Sequence, residues 1–386
     1  MFGRVLELDP ISSRGETLLQ IVERNILHRH TIAMIGRSGA GKTATVVDLA
    51  KKHFVLYVVC STSDPNFKNM IDEIDMDSPR QVEHRIELEF TARRIFLLLL
   101  FNMDPHITPE QYFYEQMNGG IETIARLVRM LRQYNPALVY DVSHDVETQL
   151  IKHLGTHALV IALDDAPVVI NHISRKFFTL LCSLVSRMQA TLVILGTSLS
   201  LMDEDHARVS VAGQSDRVNI LNFPFCAVDG VEKMLNNTID LSGCIITQPN
   251  LLTGRLGFSA NVINFINDAD HTIAKQAVLN RAVDLAINHA KSFLMSKVES
   301  LLDNYKACEV LCRMILAYKY ENCNTAFEYP TEIDFTDKAL CSVKGEAGDY
   351  SWTMDEPCVV DVVQQILYRH PEYAGMIVDI MSLMNG

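Results

Sequence analysis

Gly36-Arg37-Ser38-Gly39-Ala40-Gly41-Lys42-Thr43 fits the pattern G-x-x-x-x-G-K-[ST] at every position, and it limits the fold more than any other stretch. A loop of this kind needs an apolar strand before it and a helix after it. Thr31 to Ile35 is a short apolar run, and Ala44 to Lys52 reads as a helix. Phe54 to Cys60, rich in Val and Tyr, reads as a second buried strand, so the succession is one βαβ unit with a right-handed crossover. Glycines let the loop backbone curl until several N–H groups converge on one phosphate cluster, and the following helix adds the positive end of its dipole. Lys42 offers a point charge to the β and γ phosphates, and Thr43 offers a hydroxyl to magnesium. The loop Gly36, Arg37, Ser38, Gly39, Ala40, Gly41, Lys42 and Thr43 is therefore expected to hold ATP or GTP with Mg2+.

Three further places complete such a site. Val160-Ile161-Ala162-Leu163-Asp164-Asp165 is an apolar strand ending in acids, which suits Asp164 to a metal and Asp165 to polarising a water. Taken alone, such an Asp-Asp pair often merely caps the next helix, but its place downstream of the phosphate loop favours the metal reading. Ile194-Leu195-Gly196-Thr197-Ser198 puts the hydroxyl of Thr197 at a strand tip, as a γ-phosphate sensor or a plain turn residue. An arginine is wanted for the charge that develops on the phosphoryl oxygens, and Arg255, in Thr253-Gly254-Arg255, is the first candidate. Arg208 and Arg217 come next, and Arg37 is ambiguous between loop and site. The catalytic set expected is thus Lys42, Asp165, Thr197 and Arg255, with Thr43 and Asp164 at the metal. No Ser-His-Asp, H-E-x-x-H or kinase signature competes with it.

Along the chain, Ile11 to His30 has apolar residues at helical spacing, with Ser12 and Ser13 placed to cap. A helical insert is expected over about 78–133, punctuated at Asp104-Pro105, Pro109 and Asn118-Gly119-Gly120. The parallel sheet resumes at Ala158 to Leu163, Thr191 to Leu195 and Val218 to Phe223, with a helix over Ile170 to Met188. Beyond Asn250, Ala274, Val278, Ala282, Ala286, Ala290 and Leu294 recur every four residues and predict a long amphipathic helix. Tyr305 to Tyr320 and Val359 to Arg369 read as further helices, with one hairpin between them. The fold class is α/β: a P-loop NTPase with a mostly parallel sheet flanked by helices, followed by a mainly helical domain with winged-helix character. Its parts are a lead-in over 1–30, a core over 31–248 and a tail over 249–386.

Composition narrows the partners. With 34 Lys and Arg against 47 Asp and Glu, the net charge of −13 leaves no whole-molecule attraction to nucleic acid. The nearest approach to a basic patch is Arg93-Arg94 with Arg126 and Arg129, which is thin. Nine cysteines without CxxC spacing read as buried thiols of a reducing compartment. Neither a signal peptide nor a membrane span is apparent, which predicts a soluble intracellular protein with a nucleotide, and a protein partner or second copy, as its ligands.

Together these elements resemble the P-loop domain of the Crinkler-type proteins of oomycetes and some fungi. The resemblance rests on GRSGAGKTATVVDLA with FVLYVVC, VIALDDA, LVILGTSLSL and LLTGRLGFSANVINFI, with a fainter match at DEPCVVDVV. It implies an ATPase of the additional-strand, STAND-like class, with the Thr191–Leu195 strand between the P-loop strand and the acidic strand. Thr197 would then stand beside the γ-phosphate. The family's acidic pair is usually Asp-Glu, where this chain has Asp164-Asp165, and a second arginine commonly follows Arg255 by two residues, where this chain has Gly257. Those departures leave two readings open: a hydrolysing switch or effector module, and an interaction protein that binds nucleotide with little turnover. A nucleoside or small-molecule kinase is a weaker third. ATP is preferred over GTP because no guanine-reading N-K-x-D motif occurs.

Overall fold

The computed structural model describes residues 18–60, 67, 70, 78–166, 176–197, 217–221, 223, 225–269, 274–319, 327–328, 335–336, 338–346, 349–376 and 378. The chain divides into two compact units. One joins Ser13–Ile35 to Lys42–Ile220, and the other joins Gly36–Gly41 to Leu221–Gly386.

In the first unit, α1 (Leu18–Leu27) leads into β1 (Thr31–Ile35), and α2 (Lys42–Leu49) into β2 (Phe54–Val59). Ser12 and Ser13, expected to cap the first helix, lie outside the described residues. Among the described residues, four α-helices follow: α3 (Pro79–Met103), α4 (Pro109–Glu115), α5 (Ile121–Leu131) and α6 (Pro136–Leu154). The unit closes with β3 (Leu159–Asp164), α7 (Lys176–Arg187), β4 (Thr191–Gly196) and β5 (Arg217–Ile220). The strands form one five-stranded sheet in the order β2-β3-β4-β1-β5, every pair parallel. β4 therefore lies between β1 and β3. Every residue of β3 and β4 is buried, which is why both read as unbroken apolar runs. Each Val, Leu or Ile so buried stabilises the sheet by about 1.5–3 kcal/mol relative to leaving it in water.

The helical insert runs past residue 133, because α6 continues it to Leu154. Asn135 caps this helix, its side chain accepting from the Leu138 amide at 2.9 Å, and Pro136 occupies the first turn. The buried stripe of α6 is Val139, Ser143, Val146 and Leu150, and the polar Ser143 in it weakens the apolar period. Ser143 belongs to a buried charged cluster. Its hydroxyl donates to Glu87, and Arg94 donates to it at 2.7 Å. Arg93 grips Glu89 through two bonds of 2.8 and 3.1 Å. Arg93 and Arg94, read from the sequence as part of a thin basic patch, are thus interior groups, each 1% exposed and matched by helix-borne carboxylates. Only Arg126 and Arg129 remain at the surface.

The insert also closes the sheet's edge. β2 is an edge strand, whose outward N–H and C=O groups need partners. Between α4 and α5 the chain kinks at Asn118 and Gly119, the latter at φ 93°, where the sequence predicts a turn. Just before the kink, the side chain of Gln116 accepts from the Tyr57 amide at 3.2 Å and donates to the Val55 carbonyl at 3.4 Å. Arg93 donates to the Tyr57 carbonyl at 3.2 Å.

The second unit contains α8 (Val228–Thr238), a short 3-10 turn at Pro249–Leu252, α9 (Leu256–Asn267), α10 (Lys275–Glu299) and α11 (Tyr305–Lys319). A small antiparallel sheet follows, ordered β6 (Phe327–Glu328), β8 (Asp349–Thr353), β7 (Ser342–Glu346), and then α12 (Pro357–Arg369). α10 packs against α9 and α12. Its buried face is the four-residue repeat from Val278 to Leu294, while Ala274, the first member of that repeat, stands outside the helix as its exposed cap. Trp352 of β8 is fully buried edge-on to Phe335, with ring centres 4.6 Å apart. Among the described residues, no helix is long and apolar enough to cross a membrane.

Candidate functional site

Because β1, β3 and β4 are parallel neighbours, their carboxyl ends meet at one edge of the sheet. β3 ends in Asp164, which is 8% exposed. Its Oδ2 accepts from Thr43 at 2.7 Å and from the Tyr57 hydroxyl at 2.5 Å, while Oδ1 accepts from the Asp165 amide at 3.0 Å. A hydroxyl that spends its hydrogen on a carboxylate keeps its lone pairs for another partner. Thr43 and Asp164 thus form a pair of hard oxygen donors, the ligand type magnesium prefers. Burial, and then the adjacent Asp164 carboxylate, push the Tyr57 phenol well above the ordinary tyrosine range, so it stays a donor.

Lys42 opens α2 and is 7% exposed. Asp165 is exposed and left-handed at φ 55°, a conformation aspartate tolerates better than most residues. The next residue, Ala166, donates to the Leu195 carbonyl at 3.0 Å, which ties this turn to β4. Thr197 is half-buried and directly follows Gly196, which pairs with Ile35, the last residue before the phosphate loop.

The loop residues Gly36–Gly41 belong to the second unit. Gly39 and Gly41 adopt φ of 80° and 102°, where a Cβ would be strained. Ala40 is buried, and its amide closes a turn onto the Arg37 carbonyl at 3.2 Å. Ser38 and Gly39 are exposed. The Gly257 amide, in the first turn of α9, donates to the Gly39 carbonyl at 3.0 Å. A Cβ on Gly257 would lie 3.0 Å from the Gly39 Cα, a tight contact with backbone, so this close approach favours glycine there.

Arg37 and Arg255 converge on a single buried acid. Glu356, which caps α12, is fully buried, and Arg255 clasps it through Nε, at 3.1 and 2.9 Å to its two oxygens, and through Nη2. Arg255 also donates to the Ser38 carbonyl at 3.3 Å and to the Ala339 carbonyl at 2.6 Å. Arg37 reaches Glu356 at 3.1 Å and Asp355 at 2.7 Å. Burial alone would lower the Arg37 guanidinium, but Glu356 and Asp355 outweigh it and hold the group charged. Arg255, expected at a developing phosphoryl charge, is here engaged with a carboxylate of its own unit, as is Arg37.

Gly254 makes this clasp fit. It has φ 104°, and a Cβ there would fall 2.3 Å from the Glu356 Cγ. Gly254→Ala is expected to destabilise the protein by about 2–4 kcal/mol, combining left-handed strain with displacement of a buried ion pair. Equilibrium denaturation in urea reads this directly, and a midpoint equal to wild type would show that Glu356 can move aside freely.

Tyr57, which donates to Asp164 in the first unit, looks in the sequence like any aromatic of a buried strand; Asp355 and Glu356, in the second unit, carry only a faint signal. The Asp-Glu-Pro step was visible as a faint motif, but not as the partner of two arginines. Arg208 lies outside the described residues, and Arg217 begins β5, paired with Thr31.

No family model and no curated protein matches the chain. Among solved structures it is similar to the Orc1 protein of Aeropyrum pernix, solved in complex with DNA, at 10% identity over 94% of each chain with a TM-score of 0.39. It is also similar to a signal transduction ATPase with numerous domains, bearing a tetratricopeptide repeat sensor, from Pyrococcus horikoshii. There the identity is 12% over 100% of this chain and 47% of the other, with a TM-score of 0.27, so this chain spans about half of that one. The P-loop NTPase fold itself rests on the strand order and the loop described above.

Proposed function

We propose that the chain binds a nucleoside triphosphate, ATP by preference, with Mg2+, and hydrolyses it as a conformational switch. The observation that carries this reading is the 2.7 Å hydrogen bond from Thr43 to Asp164, which joins the last residue of a complete G-x-x-x-x-G-K-T loop to the acid ending β3. Loop amides and the Lys42 ammonium would bind and orient the phosphates. Thr43 and Asp164 would hold magnesium, which when bound neutralises charge on the phosphate oxygens. Asp165 would draw a proton from water, and Thr197 would orient that water or the γ-phosphate. Arg255 is assigned a positioning role in this state through Ser38 and Glu356, and becomes a phosphate ligand only on leaving that acid. The domain division proposed is a P-loop core over 31–248 and a winged-helix-like tail over 249–386, and the family proposed is the Crinkler-type NTPases with their switch or effector role. A protein partner or a second copy of the chain is the proposed reader of the nucleotide state.

The test is phosphate release from ATP and GTP with magnesium, measured beside direct nucleotide binding, in wild type and Lys42→Ala. Turnover no greater than that of the variant would remove the hydrolase.

A second reading, binding with little turnover, is favoured by the short side chain and left-handed backbone of Asp165. It expects tight Mg2+-dependent binding and slow release of phosphate. If carboxylate reach is the limit, Asp165→Glu raises phosphate release by about a hundredfold, the scale of a general base brought into range. Unchanged release in that variant would eliminate reach as the cause.

A further inference from the structure

We propose that Tyr57 is a positioning residue through which the helical insert fixes the orientation of Asp164; the inference rests on reading Thr43 and Asp164 as the magnesium side of a nucleotide site. Every polar group of Tyr57 is engaged. Its hydroxyl donates to Asp164 at 2.5 Å, its amide donates to Gln116 at 3.2 Å, and its carbonyl accepts from Arg93 at 3.2 Å. The two partners from the insert are themselves held. Gln116 is anchored on the Val55 carbonyl and accepts from the Tyr112 hydroxyl at 3.3 Å, and Arg93 is fixed by its two hydrogen bonds to Glu89. The Phe113 ring stands 5.6 Å from the Tyr57 ring. A side chain whose backbone is pinned on both sides by the insert therefore reaches from β2 to the acid that ends the neighbouring β3.

The chemistry makes that reach consequential. Thr43 and Tyr57 both donate to one oxygen of Asp164, and the Asp165 amide donates to the other, so together they set the plane of the carboxylate. The plane in turn directs the Thr43 hydrogen, and with it the lone pairs that face a metal. Outer hydrogen-bond partners of this kind orient the ligands that touch the ion, and losing one weakens metal binding by about 10–100-fold. Without the phenol, the Asp164 carboxylate keeps its contact to Thr43 but gains freedom to rotate.

Tyr57→Phe removes the donor and keeps the ring. The experiment measures ATP affinity in the full chain twice, once in EDTA and once along a magnesium titration. The expected result is a rise of about tenfold in the magnesium concentration that half-restores tight ATP binding, with metal-free affinity unchanged. A loosened fold would weaken both affinities alike, and that outcome would overturn the proposal, as would an unchanged magnesium requirement. Gln116→Met, which alters no group of the phosphate loop, is expected to move the requirement in the same direction by a smaller factor; no movement there would refute the link to the insert. Absence of ATP binding in wild type would instead sink the nucleotide reading itself, so the two failures are distinguishable.

Discussion

In Lys42→Ala, nucleotide binding and phosphate release are expected to fall together, by about three orders of magnitude. Lys42 stands at the first position of α2 with only 7% of its surface exposed, so its charge acts where water screens it weakly. A unit charge facing another at 4 Å is worth about 4 kcal/mol at an effective dielectric of 20, and each ~1.4 kcal/mol is a factor of ten in affinity. Loop amides and the helix dipole stay in place in the variant, so the main loss toward a nucleotide is the point charge. Thermal unfolding separates this loss from misfolding. ATP at a hundred times its Kd should stabilise the wild type by about 2.7 kcal/mol, and the variant should melt normally without ATP while showing no such gain. Equal ATP stabilisation of both proteins would mean that the loop is not the nucleotide site.

The parts of this molecule that could be read in the sequence are those whose cause is local. β1, β3 and β4 are buried almost throughout, so burial demands unbroken apolar runs, and their bounds follow from the residues to within one position. The phosphate loop is legible because backbone curvature requires glycine at Gly39 and Gly41. α10 is legible because one face meets other helices along its whole length. α6 escapes the same reasoning, since Ser143 interrupts its buried face to complete a charged cluster with Glu87 and Arg94. The partners of Arg37 and Arg255 escape it more completely. Those ion pairs join residues 318 and 101 positions apart, and no spacing rule reaches that far. An arginine near a phosphate loop looks available to phosphate until the fold reveals which acid is closer.

Glu356→Gln is the variant expected to damage stability most. Its carboxylate has 0% exposure and faces the guanidinium groups of Arg255, at 3%, and Arg37, at 7%, while Asp355 is the second acid, at 17%. Two positive and two negative charges balance in this cluster, and the amide leaves two buried cations sharing one carboxylate. Removing one partner of a buried pair typically costs about 3–5 kcal/mol, mostly because the charge left behind has lost its compensation. For a unit of this size, that lowers the melting temperature by about 10 °C. The mechanism makes a second, sharper demand. If the cost comes from the orphaned cation, deleting that cation as well should restore stability, because a buried ion pair replaced by apolar groups of similar volume is often neutral. Arg255→Met should therefore be severely destabilising alone and partly corrective in combination with Glu356→Leu, giving a coupling energy of at least about 2 kcal/mol between the two sites. Additive losses would mean that packing around Gly254 and Ala339, rather than charge balance, holds α12 in place. A melting temperature unchanged in Glu356→Gln would mean that both arginines reach solvent when the acid is lost, leaving Arg255 available to phosphate after all.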